Sequence, residues 1–287
     1  MNKKWAAALV TGATDGIGCA VAHRLAGLVD TLLIHGRCPT SLMELAASLA
    51  PANPGTTIVP LKADLASIAE IHYVINRVRG SLGRLDILVN NAATAGIYPR
   101  TLSGDGHEMT LQVNYLAPVM LTAGLFPLLT TPAQSRIVNV VCSPQKNVKV
   151  RWHDMSLEQR YHPVTAYAQS KLALTLHTAG LADILVDSSC SAVCVDPGTA
   201  DTKLHRRAFG WPAGPVAAAA DSVLYAITAS TAVKGSYFEQ TQRTQPPAEL
   251  LNPHAQRHLD RITANMLNIH LPWVDMVYSP LTKTSAS

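Results

Sequence analysis

The stretch that most constrains how this chain can fold lies near its start. An apolar run over residues 6–10 leads into Thr11-Gly12-Ala13-Thr14-Asp15-Gly16-Ile17-Gly18, after which Ile17, Val21, Leu25 and Leu28 recur at helical spacing. Strand, glycine turn and helix in that order open a parallel βα unit, because a strand that pairs in parallel needs a helix to carry the chain back. Glycines allow a tight turn and let backbone amides approach an anion, whose charge then sits against the helix N-terminus. The expected occupant is a pyrophosphate, held by Gly12, Thr14, Asp15, Gly16, Ile17 and Gly18.

The alternation continues. A strand over 31–35 ends at Gly36-Arg37, where an NAD-selective site commonly carries an acid for the ribose hydroxyl. An arginine there suits a 2′-phosphate, so NADP(H) is expected over NAD(H); otherwise Arg37 is a solvated loop residue. A helix over 41–49, a Pro/Gly turn over 51–55 and a strand over 57–63 complete the first half. Asp64, with Leu65 beside it, can accept from an adenine amino group, cap a helix starting at Ala66, or do both. Residues 85–89 form the continuous apolar run of a strand buried on both faces. They deliver Asn90, Asn91, Ala92 and Ala93: asparagines to brace neighbouring strands, alanines to leave room for a cofactor.

In the second half, Asn114 stands in a long apolar helix after Gly106, where a buried amide needs partners that a polar site would supply. A strand over 136–142 delivers Ser143 at its C-terminal end, the side on which open α/β sheets bind ligands, although such a serine can equally be a cap. Within Thr165-Ala166-Tyr167-Ala168-Gln169-Ser170-Lys171, the phenol of Tyr167 and the ammonium of Lys171 share one helix face. A free tyrosine titrates near ~10, and a cation one turn away lowers that value, giving a proton shuttle for carbonyl or alcohol chemistry. Taken alone, such a pair is common on surface helices. A sixth strand over 191–195 ends in Asp196-Pro197-Gly198-Thr199, and Cys190 and Cys194 there read as packed thiols on one face.

Residues 199–215 hold Thr202, Lys203, His205, Arg206, Arg207, Phe209 and Trp211 between glycine and proline breaks, the composition of a mobile lid with aromatic faces. Its cations are either a solvated face or the means of recognising a phosphate-bearing or carrier-tethered substrate. A helix over 216–230, a last strand over 236–239, a polar Pro-rich stretch and a helix over 253–269 follow. The first 240 residues read as the dinucleotide-binding unit with the site built in, and 241–287 as a helical extension packed on it. His254 and His258 have metal-ligand spacing but no third ligand, so no metal is expected.

Composition narrows the rest. Only 15% of the 287 residues are charged, against about 25% usually, which favours an apolar substrate or oligomer contacts. A net charge of +4 with scattered lysines and arginines argues against nucleic acid. Five cysteines without paired spacing suit a reducing cytoplasm. The most lipid-like window, 113–130, is broken by Asn114, Pro118, Gly124 and Pro127, so no membrane span is expected.

Gly12, Gly16 and Gly18, the Asn90-Asn91-Ala92 turn, Asn114, Ser143, the Tyr167 and Lys171 pair, and Pro197-Gly198 occur in one order on successive elements. Together they resemble the short-chain dehydrogenase/reductase family over essentially the whole chain. The long gap from Ser143 to Tyr167, containing Trp152-His153-Asp154-Met155, is most similar to the retinol dehydrogenase and WW-domain oxidoreductase branch. The resemblance implies a Rossmann-type doubly wound α/β fold in one domain, with a seven-stranded parallel sheet flanked by helices. It implies Tyr167 as proton donor to a carbonyl, Ser143 as hydrogen-bond donor to the same oxygen, Lys171 acting on Tyr167 and the nicotinamide ribose, and Asn114 holding a water that links Lys171 to solvent. Pro197, Gly198, Thr199 and Thr202 would face the nicotinamide, with Asp64 and Arg37 at the adenosine end. A homodimer or homotetramer would pair through helices over 106–130 and 165–186. The implied activity is NADP(H)-dependent interconversion of a carbonyl and an alcohol on an apolar small molecule, in secondary metabolism for instance. A non-catalytic NADP-binding sensor or scaffold, or a non-redox member of the family, would carry much of the same pattern.

Overall fold

Alternation of apolar strands with amphipathic helices produces one doubly wound sheet in the computed structural model, which describes residues 4–142, 149–229, 236–246 and 248–274. Seven strands run parallel: β1 (Trp5–Val10), β2 (Val29–Gly36), β3 (Thr57–Lys62), β4 (Ile87–Asn90), β5 (Ser135–Val140), β6 (Cys190–Asp196) and β7 (Tyr237–Glu239). Their spatial order is β3-β2-β1-β4-β5-β6-β7. The winding therefore reverses between β1 and β4, and the crevice at such a reversal is where these sheets bind ligands. Val10 lies level with Ile34 of β2 and Val89 of β4, so three strands deliver their following loops to that crevice together.

The two faces of β1 show why the strands read as unbroken apolar runs. Ala7 and Leu9 join the core on one side of the sheet, while Ala8 and Val10 join the core on the other. Helices α1 (Gly16–Ala26), α2 (Pro39–Leu49) and α8 (Val216–Thr228) cover the second side. The first side is covered by α3 (Ile68–Ser81), by the continuous helical segment of α4 (Met109–Leu111), a π turn (Gln112–Leu116) and α5 (Ala117–Thr130), and by α6 (Pro163–Ile184). The segment Met109–Thr130 is long and apolar enough to cross a membrane, but 72% of its most apolar window is buried inside the protein.

Three expectations need correction. An eighth strand, β8 (Gln242–Thr244), pairs antiparallel with β7 and extends the expected seven-stranded sheet. It is three residues long, polar and at the edge, so it carries no alternation for sequence reading to find; the turn into it is made by Gln240 at φ 55°. The helix after Asp64 starts at Ile68, capped by Ser67, whose Oγ accepts from Glu70 N at 3.3 Å. The lid contains a helix, α7 (Lys203–Ala208), capped by Thr202.

The third layer comes from α9 (Pro253–Leu267), which lies along α6. Gly180 of α6 allows this, since a Cβ there would stand 3.0 Å from the Gln256 Cβ. Tyr115 shares a 2.5 Å hydrogen bond with Thr263 of α9, and the fully enclosed Trp273 packs its ring on Phe126 of α5 and His177 of α6. Every residue of α6 from Ala168 to Ala182 is buried. Most of the apolar surface of the two helices expected to pair copies of the chain is covered within the chain itself, Val186 at the end of the second being exposed.

Candidate active site

Construction of the site begins where β1 and β4 end. Thr11 Oγ1 donates to Val89 O and accepts from the amides of Asn91 and Ala92, both at 3.0 Å. Asn91 Nδ2 returns hydrogen bonds to Thr11 O and Gly12 O at 2.9 and 3.2 Å. One level below, Asn90 Nδ2 bonds Asn139 Oδ1 of β5 at 2.8 Å, so the asparagines brace the strands as their positions suggested. Gly12 has φ +62°, and a Cβ on it would lie 2.8 Å from the Ala92 Cα. Gly18 sits beneath the turn, where a Cβ would collide with Gly12 O and the Asn91 amide. Both positions demand glycine because backbone crosses backbone there.

A residue that sequence reading passed over holds this turn from the other side. His35, buried in β2, accepts from Gly12 N at Nδ1 (3.3 Å) and meets Ala63 O at Nε2 (3.1 Å), which assigns the proton to Nε2. Burial pushes its pKa down to about 4, so the ring is neutral at pH 7. The only sequence signal was a histidine directly after the apolar run Leu32-Leu33-Ile34.

From this turn a cavity of about 810 Å³ runs along the C-terminal edge of the sheet to α6. Gly12, Thr14, Asp15, Gly16 and Ile17 line its first end, with Arg37, Asp64 and Leu65 beside them. Asn91, Ala92 and Ala93 line the middle, and Pro197, Gly198, Thr199 and Thr202 the opposite wall. Tyr167 and Lys171 close the far end, where Ile97, Val113, Val164, Phe209 and Trp211 make an apolar, aromatic surface. Asp64 Oδ1 also accepts from Ala66 N at 3.0 Å, so it closes the turn while its side faces the cavity. Gly18 and Asn114 stand behind this wall. Ser143 lies outside the described residues.

Asn114 is fully buried and engaged. Its Oδ1 accepts from Thr94 N at 2.7 Å, and its Nδ2 donates to Thr94 O and to Ser170 Oγ at 2.9 and 3.0 Å. It ties the loop after β4 to the helix that carries Tyr167 and Lys171. The partners required by its burial are thus one backbone position and one hydroxyl.

The electrostatics of the far end differ from the simple picture of a lysine acidifying a tyrosine. Lys171 Nζ donates to Val140 O at 2.8 Å and lies 5.9 Å from the centre of the Tyr167 ring. Burial dominates both groups. It pushes the Tyr167 phenol well above its ordinary 10, with the neighbouring Cys142 and Asp196 adding in the same direction. It also pushes Lys171 down to about 8 against the opposing pull of Cys142, Cys194 and Asp196. The Cys142 thiol beside the phenol is raised to about 11 by burial, so it too is neutral at pH 7. Cys142, just beyond β5, and Asp196, the last residue of β6, are parts of this end that sequence reading had not named as site residues.

The first end of the cavity fits a dinucleotide on two grounds. Asp15, although it precedes α1, makes no side-chain cap, so the helix amides stay open toward the cavity. Arg37 is exposed, lines the cavity and has no ion-pair partner among the described residues. No group of three metal-ligating residues occurs among the described residues, and His254 is bonded to Arg257 while His258 stacks on Trp152.

Comparison with known proteins agrees with this architecture. The family model for short chain dehydrogenases matches residues 6–212. A polyprenol dehydrogenase of Homo sapiens is 32% identical over 208 residues, covering 70% of this chain and 63%, under two thirds, of the relative. Retinol dehydrogenase 13 of Mus musculus is 31% identical over 283 residues, covering 91% of this chain and 83% of the relative. Among solved structures, an uncharacterised protein from Mycobacterium paratuberculosis superposes with a TM-score of 0.75 at 22% identity, over 93% of this chain and 95% of its own.

Proposed function

The chain belongs to the short-chain dehydrogenase family, and on that premise we propose that it is an NADP(H)-dependent oxidoreductase that interconverts a carbonyl and an alcohol on an apolar small molecule. The observation that carries this reading is a single cavity with a glycine turn and an unpartnered arginine at one end and Tyr167 beside Lys171 at the other. When bound, the nicotinamide supplies the hydride for reduction or takes it in oxidation. Tyr167 holds its proton at neutral pH and donates it from Oη to the carbonyl oxygen as that oxygen gains charge. As hydride reaches the carbon, the carbonyl oxygen becomes alkoxide-like and strongly basic, which draws the proton from the phenol. Lys171, held in the core by Val140 O, places positive charge on the same side. Ser143 is proposed as the second donor to that oxygen. Gly12, Gly16 and the α1 amides hold the pyrophosphate, Arg37 the 2′-phosphate and Asp64 the adenine edge.

The protonated phenol favours reduction at pH 7, whereas oxidation requires the phenolate and gains as pH rises. Aromatic and aliphatic side chains around Tyr167 support an apolar substrate, and five free thiols suit a reducing cytoplasm. The test is oxidation of NADPH, and separately NADH, by the purified protein with apolar aldehydes and ketones, run beside Tyr167→Phe. Turnover with NADPH that falls at least ~10²-fold in the variant is expected; equal turnover by the variant refutes the assignment.

A further inference from the structure

The lid helix α7 seats directly on the glycine turn. A Cβ on Gly16 would lie 2.7 Å from Thr202 Cγ2, and Thr202 Oγ1 accepts from His205 N at 3.1 Å to start the helix. The helix then sorts its polar side chains. His205 is buried and bonded to Trp211 O, and Arg206 is paired with Asp201 at 2.6 Å. Lys203 and Arg207, one turn apart, both line the cavity. Lys203 Nζ stands 3.9 Å from Asp15 Oδ1 on the glycine turn, and Arg207 has no ion-pair partner among the described residues. Asp15 puts a carboxylate in that turn, and a carboxylate beside the place of a pyrophosphate repels it unless something neutralises the charge.

We propose that Lys203 is a cofactor-affinity residue that acts by neutralising Asp15, and that Arg207 on the same lid face meets the pyrophosphate directly. The lid then closes on the dinucleotide as well as on the substrate. Removal of Lys203 leaves the half-exposed Asp15 carboxylate without its cation beside the dinucleotide, so NADPH binds more weakly. The inference rests on the dinucleotide reading above and concerns the lid's part in it.

Binding decides it without turnover, through the fluorescence of NADPH titrated with protein at low ionic strength. Lys203→Ala is expected to raise Kd about tenfold, the effect of a partly screened charge-assisted contact. Lys203→Arg should keep the wild-type value. Adding Asp15→Asn to Lys203→Ala should bring Kd back to within about threefold of wild type, because the repelling charge is gone. Arg207→Ala should weaken NADPH about fivefold and leave adenosine 2′-monophosphate, which has no 5′-phosphate, unaffected. An unchanged Kd in Lys203→Ala, or a double variant no better than the single, overturns the role of Lys203. Equal weakening of both ligands by Arg207→Ala overturns that of Arg207. A wild-type protein that binds neither NADPH nor NADH would instead overturn the dinucleotide reading itself.

Discussion

Acid should loosen the glycine turn through His35 before it touches the carboxylates. The ring is neutral in the fold with a pKa of about 4, against an ordinary 6.5 in the unfolded chain. The folded value is the lower one, so the unfolded chain takes the proton first; the contribution is complete above pH 6.5 and is lost as pH falls toward 4. Linkage over that window amounts to roughly 3 kcal/mol, of which about 2 kcal/mol is gone by pH 5. Protonation also turns Nδ1 from acceptor to donor opposite Gly12 N–H, so affinity for the cofactor should fall over the same range. Urea unfolding at pH 7 and pH 5, for wild type and His35→Asn, measures the effect. The asparagine does not titrate, so its stability, lower at pH 7, should fall by about 2 kcal/mol less than wild type between the two pH values. His107, also lowered by burial, titrates in both proteins and cancels from the difference. Equal slopes for the two proteins would show that the ring is not held as a neutral acceptor.

Other expectations follow from single contacts. Arg37→Glu should raise the Kd for NADPH by at least tenfold while leaving NADH within about threefold, read by titration; equal losses would place the arginine elsewhere. Gly18→Ala sets a methyl against Gly12 O and the Asn91 amide and should cost about 1–3 kcal/mol in urea unfolding with loss of NADPH binding; wild-type stability would mean the turn can give way. Trp273→Ala, removing a fully enclosed ring from Phe126 and His177, should cost about 3–5 kcal/mol; a loss under 1 kcal/mol would show that the ring is not packed there. Because α6 is enclosed by its own chain, its hydrogen-exchange protection should not change between nanomolar and micromolar protein. Protection that grows with concentration would show that a second copy completes the packing.

The parts of this molecule that were legible in its sequence are those set by local pattern. Parallel strands buried on both faces read as unbroken apolar runs, and glycine positions report where backbone must cross backbone, as at Gly12 and Gly18. Tyr167 and Lys171 share a face because helix geometry leaves no choice. What stayed hidden depends on residues far apart in the chain. His35 matters because Gly12 and Ala63 arrive on either side of it, and neither neighbour is visible from the strand. The π turn at 112–116 aims Asn114 at Thr94 and Ser170, and no local signal marks it.

The same distinction explains the electrostatics of the active end. Sequence shows a cation one turn from a phenol and predicts an acidified tyrosine; burial, which only the fold reveals, outweighs the pair and holds Tyr167 protonated. The groups that enclose the phenol come from other elements, Cys142 after β5, Asp196 at the end of β6 and Phe209 of the lid, whereas α9 packs on α6 further along, at His177 and Gly180. The extension after residue 240, expected to pack on the dinucleotide-binding unit, covers the later part of the helix that carries Tyr167 and Lys171. Within the chain, Asn114 is tied to α6 through Ser170 Oγ, and Lys171 to β5 through Val140 O. The lid meets both ends of the site, the glycine turn through Thr202 and Lys203 and the phenol through Phe209 at 5.6 Å.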